Sequence, residues 1–259
     1  MSKKHTGRKP QPEPEPPKDT SPKVYNPPKI DFELTIREFP WNKEQQELIE
    51  VGLKKETRVV LCQSKAGTGK TLVALYVALK RLQQKRIAKI YFVRSPVESA
   101  SKGIGFLPGL SEEKMLPYSM PAMDNLNELL PPAQIKKLFD GGFIEVLPLG
   151  FLKGRSLGVC AIICDESEDF TILDGRLVLS RMGKYSTIFL IGDKKQSNIR
   201  DSGFEKIYQL FDDDISKSRG IYSMELSEVM RNDVLSYILD KFDELNERGS
   251  SEWQPRGQK

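Results

Sequence analysis

One run constrains this chain more than any other: Ser-Lys-Ala-Gly-Thr-Gly-Lys-Thr at residues 64–71. Before it lies an apolar stretch, Val59, Val60, Leu61 and Cys62. After it comes a stretch with helical character from Thr71 to Leu82. Strand, glycine-rich turn and helix form the framework of a phosphate-binding P-loop. In such a turn the backbone N–H groups of Lys65, Ala66, Gly67, Thr68 and Gly69 wrap a phosphate, and the helix aims its positive end at the same place. Lys70 adds a full charge, and the Thr71 hydroxyl can ligate Mg²⁺. The expected ligand is a nucleoside triphosphate. Ser64 stands where the pattern GxxxxGK[ST] has its first glycine, a place that a small residue can fill. The plain alternative is a glycine-rich turn without a ligand, and the Lys-Thr pair argues against it.

The rest of the chain bounds this reading. It has 259 residues, enough for one large domain, with 38% apolar and 29% charged residues. A net charge of +4 excludes a polybasic chain but leaves room for local basic patches. The longest apolar runs, such as Ala161, Ile162, Ile163 and Cys164, are strand-sized, so no bilayer-spanning segment is expected. The first residues do not read as a secretory signal. Three cysteines in apolar runs read as buried, reduced thiols of a cytoplasmic protein. With one histidine, His5, a zinc site is not expected.

Residues 1–30 are rich in Pro, Lys, Glu, Thr and Ser and should form an extended, solvated tail. A folded domain is expected over 31–247, with a polar tail at 248–259. Hydrophobic patterning predicts helix 42–53, strand 58–63, helix 71–84 and strand 88–94. A long irregular loop over 95–121 follows, then a helical region near 122–139, strand 143–147 and a turn at 150–158. Strand 159–164, helix 169–182, strand 186–192, helix 203–211, strand 221–226 and helix 232–246 complete the domain. Strands alternating with helices give an α/β fold, a mostly parallel sheet with helices on both faces.

Two further strands end in polar groups. Ile162-Ile163-Cys164-Asp165-Glu166 has the form of a Walker B strand. Asp165 would hold Mg²⁺, and Glu166 would act as general base on the attacking water. Either motif alone could be structural; the two in this order argue for triphosphate chemistry. The strand ending Ile191-Gly192-Asp193-Lys194-Lys195-Gln196 delivers Gln196 to the same edge, where ligands of open α/β sheets bind. Gln196 could touch the γ-phosphate or its water, or the motif could be a turn cap.

The order AGTGKT, VRSPVESASKGIGFLPG, LGFLKGRSL, IICDES, IGDKKQS and ELSEVMRN resembles the PhoH family over about residues 36–246. The resemblance implies a single RecA-like ATPase domain related to the superfamily-one helicase core, using ATP and Mg²⁺. It implies that Gln45 reads adenine, that Lys70 and Thr71 hold phosphate and Mg²⁺, and that Asp165 and Glu166 form the Walker B pair. It implies also that Gln196 senses the γ-phosphate and that Arg231 works like an arginine finger. Two departures stand out. Ser64-Lys65 replaces the family's Gly-Pro, and Glu168-Asp169 replaces its Gln-Asn.

Arg231 could act from a neighbouring subunit or within its own chain; read without the family it could be a surface arginine. The expected assembly is a homo-oligomeric ring, a hexamer, acting on single-stranded RNA or DNA. Arg94, Lys102, Lys153 and Arg155 could contact strand phosphates, and Phe106 or Tyr118 could stack on a base. Phe106 and Leu107 could equally anchor a subunit interface, and Arg94 could be an internal ion-pair partner. Two other functions stay open, a P-loop kinase and a nucleotide-gated RNA-binding module with little turnover.

Overall fold

Six strands pair side by side in the order β3-β2-β4-β5-β1-β6, and every pairing is parallel. The strands are β1 (Val59–Ser64), β2 (Lys89–Arg94), β3 (Ile144–Pro148), β4 (Cys160–Asp165), β5 (Thr187–Gly192) and β6 (Ile221–Leu226). The computed structural model describes residues 29–95, 112–197, 199, 201–230 and 233–247. Four helices, α1 (Lys43–Leu53), α2 (Lys70–Gln83), α3 (Glu112–Leu129) and α4 (Pro132–Asp140), precede β3. Helices α5 (Ile172–Leu179), α6 (Gly203–Leu210), α7 (Asp214–Ser218) and α8 (Asp233–Glu247) follow β4.

Side chains alternate across a strand, and the alternation sorts the strand residues into two cores. Val60, Cys62, Ile90, Phe92, Ile163, Phe189 and Ile191 face the layer of α1, α2, α3 and α4. Leu61, Val93, Ile162, Cys164, Ile188 and Leu190 face α5, α6 and Phe170. Strands β1, β4 and β5 are buried along their whole length, which is why they read as continuous apolar runs. The three thiols lie free inside them, and burial pushes Cys62 and Cys160 up to about 12. Among the described residues no helix is long and apolar enough to cross a membrane.

The α/β expectation holds, and several boundaries move. The loop expected over 95–121 is helical from Glu112, because α3 runs through Pro117 and Pro121. Buried Ala122, Leu126 and Leu129 give α3 an apolar face, and Asn125 Nδ2 donates to the Pro121 carbonyl at 2.8 Å. The region near 122–139 is two helices, since Pro131 and Pro132 end one and start the next. The helix expected over 169–182 shrinks to α5. Its start is set by Thr171, whose hydroxyl accepts from Asp174 N in a capping box. Residues 167–169 form a separate 3-10 turn, another occupies Leu149–Leu152, and the short α7 follows its cap Asp213.

Candidate nucleotide site

A parallel sheet sends the carboxyl ends of all its strands to one edge, and the chemistry-bearing residues collect there. β1 opens into the turn of residues 64–71. Gly67 and Gly69 have φ of 79° and 80°, the left-handed region that glycine adopts without strain. Gly69 is also the N-cap of α2, so the first free N–H groups of that helix open onto the turn. The Thr68 hydroxyl donates to the Lys65 carbonyl at 3.1 Å. Below the turn, Gln45 Nε2 donates to the Thr68 carbonyl at 2.9 Å. Gln45 Oε1 accepts from Asn42 N at 3.1 Å, half of the capping box of α1. The residue expected to read adenine is buried here and buttresses the phosphate turn.

β4 brings the second motif. The Thr71 hydroxyl donates to Asp165 Oδ1 at 2.8 Å, so the two expected Mg²⁺ ligands face each other. Glu166 follows with φ 52° and ψ 43°, a left-handed conformation that costs a non-glycine residue about 1–2 kcal/mol. Such strain collects at functional sites. The Glu166 carboxylate is half exposed and is ion-paired through Oε1 with Arg94 Nη2. Arg94, at the end of β2, also approaches Asp165 Oδ2 at 3.9 Å, and its side chain is 8% exposed. Of the two expectations for Arg94, a contact to a nucleic-acid phosphate or an internal ion pair, the structure has the second: the side chain lies buried against two carboxylates.

β5 brings the third. Asp193 is buried, and its Oδ1 accepts from Lys195 N at 3.0 Å. This caps the short 3-10 turn that presents Gln196, exposed, at the same edge. The next residue of interest was not foreseen in its role. Glu168 is 5% exposed. Burial pushes its carboxyl up to about 7, opposed by backbone N–H groups of Glu168 and Asp193 and by the charge of Lys70. A Cβ on Gly192 would stand 2.7 Å from Glu168 Oε2 and 2.8 Å from Glu168 N, so glycine at this strand end is what admits the carboxylate. The Glu168 carbonyl accepts from Ser197 and Ser202 hydroxyls at 3.0 and 2.8 Å. The departure from the family's Gln was the available signal.

A second contact set escaped the sequence reading. Met230 N donates to the Gly67 carbonyl at 2.9 Å, and Ser227 N donates to Glu44 Oε2 at 2.7 Å. Lys65 Nζ pairs with Asp240 Oδ1 of α8 at 2.9 Å. The segment after β6 and α8 therefore both contact the phosphate turn. Lys65, in place of the family's Pro, was the one cue. Of the strand-contact candidates, Lys153 is exposed. Arg155 pairs with Glu145 at 3.3 Å and lies 5.7 Å above the Tyr91 ring. Lys102, Phe106 and Arg231 fall outside the described residues, and so does the side chain of Tyr118.

Three buried polar atoms at this edge have no hydrogen-bond partner: Ser64 Oγ, Arg94 Nε and Glu168 Oε2. Buried polar groups are normally satisfied, so their gathering here fits an edge built to receive a polar ligand. Among the described residues, no three His, Cys, Asp or Glu side chains converge on a metal position. Thr71 and Asp165 suit Mg²⁺, which takes one or two protein ligands and fills its shell with phosphate oxygens and water.

A family model described as PhoH-like protein matches residues 39–243. A curated PhoH-like protein of Mycobacterium tuberculosis (strain ATCC 25618 / H37Rv) is 34% identical over 190 residues, covering 71% of this chain and 53% of that protein. One of Bacillus subtilis (strain 168) is 31% identical over 198 residues, covering 76% and 61%. The chain thus spans about half the length of the curated relatives it matches. A crystal structure of Bacteroides sp Pif1 in complex with ADP-AlF4 aligns at TM-score 0.41 and 16% identity, covering 83% of this chain and 48% of that one.

Proposed function

Because this chain belongs to the PhoH family, we propose that it is a Mg²⁺-dependent ATP hydrolase that works as a homo-oligomeric ring, a hexamer, on single-stranded RNA or DNA. The observation that carries the reading is the 2.8 Å hydrogen bond from Thr71 to Asp165, which joins the phosphate turn to the carboxylate strand. The turn N–H groups and Lys70 bind and orient the triphosphate and hold charge on its transferred phosphoryl group. Bound at Thr71 and Asp165, Mg²⁺ would supply Lewis-acid neutralisation of the phosphate oxygens. Arg94 takes Glu166 Oε1 and leaves Oε2 to accept the proton of the attacking water. Gln196 senses the γ-phosphate from the end of β5. Arg231 follows Met230, which is bonded to the phosphate turn, and supplies the second cation as a finger.

Release of inorganic phosphate from ATP, with and without single-stranded RNA, tests this. Lys70→Ala should abolish release, and Glu166→Gln should retain bound ATP while turnover falls at least about 100-fold, the lower end of what a positioned base contributes. Wild-type turnover in Glu166→Gln would remove that residue from the mechanism. The Arg94–Glu166 pair favours a second reading, a nucleotide-gated binding module with little turnover, since it already occupies one oxygen of the base. Negligible phosphate release under both conditions, with intact ATP binding, would select it.

A further inference from the structure

The amino edge of the sheet, opposite the phosphate turn, carries its own concentration of charge. Four loops lead into β1, β2, β5 and β6: residues 54–58, 84–88, 180–186 and 219–220. Together they hold eight lysines and arginines against one carboxylate, Glu56. Backbone bonds stitch these loops to one another. Arg58 N donates to the Gly220 carbonyl at 2.8 Å, and Val159 N donates to the Lys184 carbonyl at 2.7 Å. Ala88 N in turn donates to the Val159 carbonyl at 2.8 Å. Arg58 and Arg86 both stand close enough to the buried Arg81 to help push its guanidinium down to about 10, behind the larger effect of burial. Lys54, Lys85, Lys184 and Arg219 are exposed.

Beside this charge lies an open cavity of about 490 Å³ lined by Arg58, Met182, Gly183, Lys184 and Tyr185. Two of its walls are large exposed side chains, Met182 at 41% and Tyr185 at 66%. Backbone conformation supplies a separate observation. Among the described residues four non-glycines have positive φ. One is Glu166 at the nucleotide edge. The other three, Lys85, Val159 and Tyr185, all lie on this opposite edge. A β-branched or bulky residue at positive φ is a genuine outlier, and such residues persist where function holds them.

We propose that this amino edge is a binding surface for single-stranded nucleic acid, with the exposed lysines and arginines on the phosphates and Tyr185 stacked on an unpaired base beside Met182. A cationic track with an exposed aromatic is the means by which single strands are held without sequence preference. The aromatic favours a strand with free bases over an acidic protein segment, which offers charge but no ring to stack on. The side chains of Lys153 and Arg155 are not counted in this site, although the Arg155 carbonyl accepts from Arg181 Nη1 at 3.2 Å; the inference rests on the proposed action on single strands but not on ATP hydrolysis.

The test uses the full chain without nucleotide. Fluorescence anisotropy follows binding of a labelled single strand of about 12 nucleotides, within the span one domain covers, as RNA and as DNA. The triple variant Lys54→Gln, Lys184→Gln, Arg219→Gln should lose about tenfold or more in affinity. The slope of log affinity against log salt should shrink by about 2, since each lost phosphate contact on a single strand removes about 0.7. Tyr185→Ala should weaken binding with the slope unchanged. A photoreactive uridine in the RNA should crosslink to residues 182–185. Unchanged affinity and slope in the triple variant would overturn the proposal. So would crosslinks confined to 102–153, or polyglutamate or anionic vesicles displacing the strand at equal charge concentration. Unequal affinity of RNA and DNA, both lost in the variants, identifies the source of the strand.

Discussion

Replacing Glu168 by Gln should stabilise the nucleotide-free protein at pH 8 and do progressively less toward pH 5. Burial raises this carboxyl from its ordinary 4.5 to about 7. Because the folded-state value is the higher one, the native protein holds the proton over a pH range in which the unfolded chain has lost it. Stability from this group is therefore full below about pH 4.5 and falls as pH rises toward 7, where ionisation of the buried group is forced. At about 1.4 kcal/mol per pH unit, the rise amounts to about 3 kcal/mol of penalty at pH 8. Gln is close to the same shape and carries no charge. After an allowance for imperfect pairing of the buried amide, the net gain should be about 1–3 kcal/mol. For a domain of this size that is a rise in Tm of roughly 2–10 °C. The measurement is urea or thermal denaturation of wild type and Glu168→Gln at pH 5 and pH 8, without nucleotide or metal. A gain equal at both pH values, or a larger gain at pH 5, would refute the argument, because neither follows from a titrating carboxyl.

Other perturbations have equally direct readouts. Arg94→Ala leaves Asp165 and Glu166 without their cation and should cost about 1–3 kcal/mol in urea unfolding, less than a fully buried pair because Glu166 is half exposed. Arg81→Met removes a buried guanidinium that donates to the Gly52 and Lys54 carbonyls and to Thr187 Oγ1 at 2.6–2.7 Å, and should lower unfolding stability by about 3 kcal/mol. Gln45→Ala breaks the prop under Thr68 and half of the α1 capping box. A loss of about 1–2 kcal/mol and weaker binding of a fluorescent ATP analogue are expected. Gly192→Ala drives a methyl into Glu168 and should destabilise wild type; because the clash includes the Glu168 backbone nitrogen, Glu168→Gln should not rescue it.

What the sequence made legible follows from local rules. Continuous apolar runs marked β1, β4 and β5 because both faces of those strands are covered, and the motif pattern marked Thr71 and Asp165 each as a Mg²⁺ ligand without reporting the 2.8 Å hydrogen bond between them. Arg94 was ambiguous because a cation at a strand end reads alike whether it faces solvent or a carboxylate on the neighbouring strand; only the β2–β4 register, which sets Arg94 opposite Asp165, decides. Helix α3 was hidden by Pro117 and Pro121, whose local cost is outweighed by the tertiary burial of Ala122, Leu126 and Leu129. The docking of Met230 on Gly67 and of Asp240 on Lys65 joins residues more than 160 positions apart, which no periodicity reports. Nor does any periodicity report the basic amino edge, since its charges come singly from separate loops and meet only when the strands align.

That arrangement has an electrostatic consequence. Each strand of β1, β4 and β5 has six residues, so the two edges of the sheet are roughly 20 Å apart at about 3.3 Å per residue. The Debye length at physiological ionic strength is about 8 Å. A polyanion on the amino edge would thus scarcely repel a triphosphate at the carboxyl edge, and the two can be held together. Any effect of a bound strand on ATP turnover must then pass through packed matter. The direct route is α2. It starts at Lys70 in the phosphate turn, and eleven residues on, Arg81 is locked to Gly52, Lys54 and Thr187 beside Arg58 and Arg86. Coupling carried by α2 would persist at high salt for as long as the strand stays bound, whereas coupling by charge would fade with screening. The salt dependence of strand-stimulated turnover at saturating strand separates the two.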